Sequence, residues 1–217
     1  MAYDVRSQIV GRCQADANSP IGAVMLGLQL YTETLGILPS KLVLGVPWYG
    51  FDYPCITGSP GTISADTAGS ANTDARMASL LNSTVCSVAQ VGFRGAPCSD
   101  AAGGEQPLVS VLRMLDAAST PGSAAEPVRA GPRLWDATTS TPYFNYLDQH
   151  GVRHQLWYDD AESTALKLEA AVGFKVAGFG PYEFSDLDFV PGSNGANETA
   201  AMWAVLRKYA TMLDVAR

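Results

Sequence analysis

Residues 41–47, KLVLGVP, form a continuous apolar run, preceded by Pro39-Ser40 and followed by Trp48-Tyr49-Gly50. A short run without polar alternation suits a strand covered on both faces, the environment of a parallel sheet. A second such run, KVAGFG (175–180), follows a helical stretch at 163–172 that ends at Gly173. Pro20 and Gly36 bracket another predicted helix, with proline in the first turn and glycine at the stop. Met1–Asp4 reads as the end of a strand, and Ser7 to about Ala17 as a short helix. From Asn194 to about Asp214 an amphipathic helix closes the chain, built on Ala201, Met202, Val205, Leu206, Tyr209 and Met212. This alternation implies parallel strands joined by right-handed crossovers, as in a barrel or an open doubly wound sheet.

The region between the two apolar runs has a different character. Residues 51–104 are rich in Gly, Ser, Thr, Pro and Ala and read as loop, with a short helix at 74–82. Residues 105–119 carry helical spacing of Leu108, Val111, Leu112 and Leu115, and 120–133 form a Pro/Gly linker. LWDATTSTPYFNYLD and VRHQLWYDD then flank Gln149-His150-Gly151 and predict a hairpin.

Several function classes drop out. The net charge of -7 and the lack of a Lys/Arg cluster argue against nucleic acid as a partner. No GxGxxG opens a helix and no Walker loop is present, so no nucleotide cofactor is expected. No apolar run reaches the ~20 residues of a membrane span. Cys13, Cys55, Cys86 and Cys98 fit no metal-ligand spacing and are disulfide candidates with three possible pairings. Asn82-Ser83-Thr84 and Asn197-Glu198-Thr199 are glycosylation candidates. Together these predict a secretory-pathway protein, although Met1-Ala2-Tyr3-Asp4 is no signal peptide and one is expected upstream.

Four segments carry a resemblance. Met1–Asp4 matches an MxYD strand end, and 41–50 a strand followed by Trp-Tyr-Gly. FRGAPCSDAAG (93–103) matches an irregular loop, and 143–189 a WYD strand end, an S-x-x-x-K helix and a further strand. In this combination and order the chain resembles glycoside hydrolase family 18, in its chitobiase type. The resemblance implies an α/β fold, a partial TIM (β/α)8 barrel. Residues 1–217 would hold strands six to eight, with an insertion at about 51–156 after strand seven.

It further implies retaining hydrolysis of N-acetylglucosamine linkages in chitin fragments and N-glycan cores, assisted by the substrate's own acetamido group. The family's acid lies in a D-x-x-D-x-E motif, which is absent from residues 1–217. The catalytic residue is therefore expected upstream, and this chain alone is expected to be inactive. By the resemblance, Tyr3, Asp4, Trp48, Tyr49, Trp157, Tyr158, Asp159 and Tyr182 are the candidate substrate-binding residues. No cofactor or metal is implied, the partners are N-acetylglucosamine oligosaccharides, and the compartment is lysosomal or secreted. Tyr182 stands where the family usually has tryptophan, and Phe51 where it often has arginine. The alternatives are a non-catalytic chitin-binding relative and a gene-model fragment without function.

Plainer roles compete at several positions. Trp48 and Tyr49 serve equally well as core aromatics, and Asp159 and Asp160 as caps of the helix that follows them. Asp186 and Asp188 read as solvated or capping groups, and His150 and His154 as surface residues.

Overall fold

The computed structural model describes residues 1–5, 12–56, 73–119, 129–191, 193 and 195–216. The first helix, α1 (Ile21–Gln29), starts after Pro20 and runs into one wider turn at Leu30–Thr34. It stops at Gly36, whose φ of +64° is a conformation that only glycine adopts without cost. The predicted apolar run becomes β1 (Val43–Pro47). It pairs in parallel with β8 (Gly178–Tyr182), in the register Val43↔Gly178 through Pro47↔Tyr182. Helices α4 (Ala161–Gly173) and α5 (Ala196–Ala216) pack with α1 against this pair. Val24, Leu28, Leu44, Val46, Leu168, Val176 and Val205 fill the space between them.

Three expectations change here. Met1–Asp4 lies beside β1, where Ala2 N–H donates to Gly45 O at 2.8 Å, but it forms no paired strand. The eighth strand begins at Gly178, three residues later than its apolar composition implied, because Lys175 (φ +54°) turns the chain at the helix exit. The helix expected from Ser7 to Ala17 lies partly outside the described residues. Its remainder, 12–17, is not helical, with Gln14 bridged to Ser87.

The larger difference concerns residues 49–157, whose described strands join in a six-stranded antiparallel sheet around the stretch read as loop. Its order is β3 (Gly104–Pro107), β2 (Tyr49–Pro54), β7 (Arg153–Trp157), β6 (Thr141–Leu147), β4 (Arg129–Ala130), with β5 (Leu134–Asp136) also on β6. The β6–β7 hairpin is the predicted one. α2 (Thr73–Leu81) is the predicted short helix, and α3 (Leu108–Ser119) covers one face of the sheet with Leu108 and Val111 against Phe144 and Leu156. On the other face Tyr143 stacks on Trp157 at 4.4 Å, beside Tyr53, Val88, Ala15 and Ala17.

Disulfides Cys13–Cys98 and Cys55–Cys86 staple the 12–17 segment and the loop before α3 to this face. Arg153, 1% exposed, donates to Asn145 Oδ1 and Val85 O, and so ties the 83–85 loop to the sheet. Among the described residues no helix is long and apolar enough to cross a membrane.

Candidate functional site

The carboxy ends of β1 and β8 lie side by side at Pro47 and Tyr182. Active sites of barrel enzymes form at such ends, because the loops that follow are free to vary while the strands stay rigid. The next residues carry the candidate aromatics. Trp48 N–H donates to Tyr182 O at 2.7 Å, which fixes the point where the chain leaves β1 and starts β2 at Tyr49. Met1–Val5 runs along the other side of β1. Gly45 lies beneath the Tyr3 ring, where a Cβ would stand at 3.5 Å, in van der Waals contact.

Three phenols meet as a result. Tyr3 stacks on Tyr182 at 5.4 Å, and Tyr49 meets both edge-on, at 6.0 Å from Tyr3 and 6.2 Å from Tyr182. Tyr49 is buried and donates its hydroxyl to Asp4 Oδ1 at 2.5 Å. Tyr182 is 49% exposed and presents the open face of the cluster. Burial, and then the hydrogen bond to Asp4, raises the Tyr49 phenol far above its ordinary 10. Burial and the Asp4 charge raise the Tyr3 phenol as well. Both hydroxyls therefore keep their protons and remain donors through the physiological range.

Asp4 sits at φ +55°, a left-handed conformation uncommon for a residue with a side chain. Around it the surface is acidic. Glu105 on β3 pairs across from Phe51. Desolvation, followed by the charges of Asp4, Asp186 and Glu183, pushes its carboxyl above the ordinary 4.5. Asp186 is raised too, by desolvation and by Glu183. The sequence reading missed Glu105. That reading placed Glu105 at the start of a helical stretch over 105–119, whereas residues 104–107 form β3, which flanks Tyr49, and the helix starts at Leu108.

The other candidates are not brought to this cluster. Trp48 is fully buried and packs edge-on against Trp203 at 5.3 Å. Trp48, at the bend between β1 and β2, belongs to the cluster under α3, whereas Tyr49 meets Tyr3 and Tyr182. Trp157 is stacked under Tyr143, and Tyr158 lies in the core under α3. Asp159 is wholly buried, ion-paired with Lys167 and bonded to Ser163 Oγ at 2.6 Å. Asp160 caps α4 through a reciprocal bond with Ser163. Asp188 is buried and accepts from Val190 N–H. His154 is not a surface residue but stacks on Tyr146 and contacts Asp52 at 3.0 Å through Nδ1. Among the described residues no cluster could hold a metal ion.

No family model matches the sequence. Di-N-acetylchitobiase of Homo sapiens is 35% identical over 207 residues, 95% of this chain and 45% of that protein. The chain is a homologue of the di-N-acetylchitobiases. The solved structures agree on the fold. A chitinase from Rhizomucor miehei superposes with a TM-score of 0.56 at 18% identity, covering 97% of this chain and 52% of that one. A family 18 chitinase from Cycas revoluta in complex with (GlcNAc)4 superposes with a TM-score of 0.52 at 19% identity, covering 97% and 46%. The chitobiase homologue thus shares the α/β fold of the matching part of these chitinases, and it spans about half the length of the relatives it matches.

Proposed function

We propose that this chitobiase homologue carries the substrate-holding side of a glycoside hydrolase site. Its substrates would be N-acetylglucosamine oligosaccharides, such as chitin fragments and N-glycan cores. The observation that supports this is the meeting of Tyr3, Tyr49 and Tyr182 with Asp4 beyond the ends of β1 and β8. An exposed phenol face suits the C–H face of a pyranose, and the proton-retaining hydroxyl of Tyr3 suits an acetamido oxygen, the Tyr49 hydroxyl being given to Asp4. Tyr182 would bear the sugar ring. Tyr3, whose hydroxyl now rests on Met1 Sδ at 2.6 Å, would turn to the acetamido oxygen and hold it for attack on the anomeric carbon. Asp4 would accept from the acetamido N–H or a sugar hydroxyl while keeping Tyr49 in place.

In this reading residues 1–217 are the carboxy-terminal part of the barrel, with the antiparallel sheet as its insertion. They supply position and not the proton. The family's acid belongs to a D-x-x-D-x-E motif that these residues do not contain, and general acid help is worth about 10²–10⁴ in rate. The same reading assigns the protein to a lysosomal or secreted setting. Two disulfides and exposed side chains at Asn82 and Asn197 support it. Homology to a chitobiase and the fold shared with chitinases support the substrate class.

The test is calorimetric titration of the purified chain with tri-N-acetylchitotriose, alongside 4-nitrophenol release from its chitobioside. Saturable binding without turnover is the expected result. No heat at millimolar ligand would sink the carbohydrate reading, and turnover would sink the division of labour. A binding-only chitin-recognition role is favoured by the departure at Tyr182, and predicts the same binding with no turnover in the longer protein.

A further inference from the structure

Asp4 must be held in its left-handed conformation by something outside its own backbone, because that conformation is uphill for a residue with a side chain. The restraint comes from Asn18, in the turn before α1. Asn18 is 1% exposed, and its Oδ1 accepts the Asp4 N–H at 2.8 Å. Its backbone oxygen accepts Val5 N–H at 3.3 Å. The next residue, Ser19, fully buried, donates its hydroxyl to Ala2 O. Asn18 and Ser19 thus grip both sides of Tyr3-Asp4, while Ala2 is fastened to β1.

The amide of Asn18 does more than fill space. Its Nδ2 has no hydrogen-bond partner among the described residues, although burying an unmatched donor carries a cost. The Asn18 side chain also opposes part of the rise that burial and Asp4 impose on the Tyr49 phenol. A purely structural turn gains nothing from such an orphan. A group that orients the Asp4–Tyr49 pair has reason to stand there.

The geometry points to Asn18 as a positioning residue. Its side-chain oxygen fixes the Asp4 backbone so that the carboxylate meets the Tyr49 hydroxyl. It does not touch substrate. The inference deepens the proposed function, since it concerns the same site, and rests on it for any effect on binding. The Asp4–Tyr49 geometry itself stands apart from that reading.

The experiment uses the full chain labelled with ring-13Cζ tyrosine, with Tyr49→Phe to assign the Tyr49 signal. Asn18→Ala should move that signal toward the position of the exposed Tyr31, and should weaken tri-N-acetylchitotriose binding by about tenfold, the loss of one hydrogen bond beside a charge. Ser19→Ala, which loosens the same segment without touching the Asp4 N–H, should leave the Tyr49 signal in place. An unmoved Tyr49 signal in Asn18→Ala overturns the inference whatever happens to the melting temperature. An equal displacement in Ser19→Ala overturns it as well. If Asn18→Ala does not fold, Asn18→Ser gives the same reading, with a displaced signal in support and an unmoved one against. Failure of the unsubstituted chain to bind any oligosaccharide removes the proposed function, while the Tyr49 signal still decides the role of Asn18.

Discussion

Replacing Tyr182 by alanine should strip the proposed site of its sugar platform while leaving the fold intact. An aromatic side chain buries about 150–250 Å² when fully covered. Tyr182 is 49% exposed, so about 100 Å² remains for a ligand to cover. At ~25 cal/mol per Å² that area corresponds to about 2.5 kcal/mol, an upper bound because binding also orders both partners. The expected loss is therefore about 1–2.5 kcal/mol, or roughly 5- to 70-fold in Kd. The same logic run the other way makes Tyr182→Trp a gain, since the indole widens the platform, by about 0.5–1 kcal/mol. Calorimetric titration with tri-N-acetylchitotriose reads both, and a thermal melt checks the fold. If Tyr182→Ala binds as tightly as the parent chain, Tyr182 is not the platform and the reasoning from its open face is wrong.

Other consequences follow from the framework around the site. Lys167→Met removes the ion-pair partner of Asp159 in a wholly buried pocket and should cost about 3–5 kcal/mol in urea unfolding, while adding Asp159→Leu should restore most of it. Loss of Cys55–Cys86 through a Cys55→Ser/Cys86→Ser pair frees a closure of 31 residues and should cost about 3–4 kcal/mol in the same assay. Glu105 and Asp186 have carboxyls raised in the folded chain, so the fold binds extra protons just above their ordinary values. Their contribution is full below that range and is lost as pH rises through the raised values. Glu105→Gln should flatten this fall in melting temperature with rising pH, and an unchanged slope would contradict the acidic cluster.

What the sequence disclosed depends on the range of the forces involved. The β1 run, the α4 helix with its Asp160 cap and the β6–β7 hairpin are local patterns of period and turn chemistry, and they stand where the residues put them. The sheet of the insertion is non-local. Strand β2, interrupted in pattern by Gly50 and Pro54, gains its identity by pairing Phe51 with Trp157, a partner no local rule connects to it. For the site, Tyr49 and Tyr182 were legible as candidates because they stand where the two apolar strand runs end, and Tyr3 through the Met1–Asp4 motif. Trp48, Trp157 and Tyr158 are buried away from the three phenols, and that burial comes from packing against α3, Trp203 and Tyr143, which no local pattern discloses. Asn18 was invisible to pattern, since its role lies in one bond to a residue fourteen positions away.

The most direct measurement is a set of transferred contacts between protein and ligand. In nuclear Overhauser spectra of the chain with tri-N-acetylchitotriose, the acetamido methyl of one sugar should contact the rings of Tyr3 and Tyr182, with Tyr49 buried behind them. Contacts confined to other aromatic residues, such as Phe93 or Tyr31, would place the sugar elsewhere and contradict the site described for these three phenols.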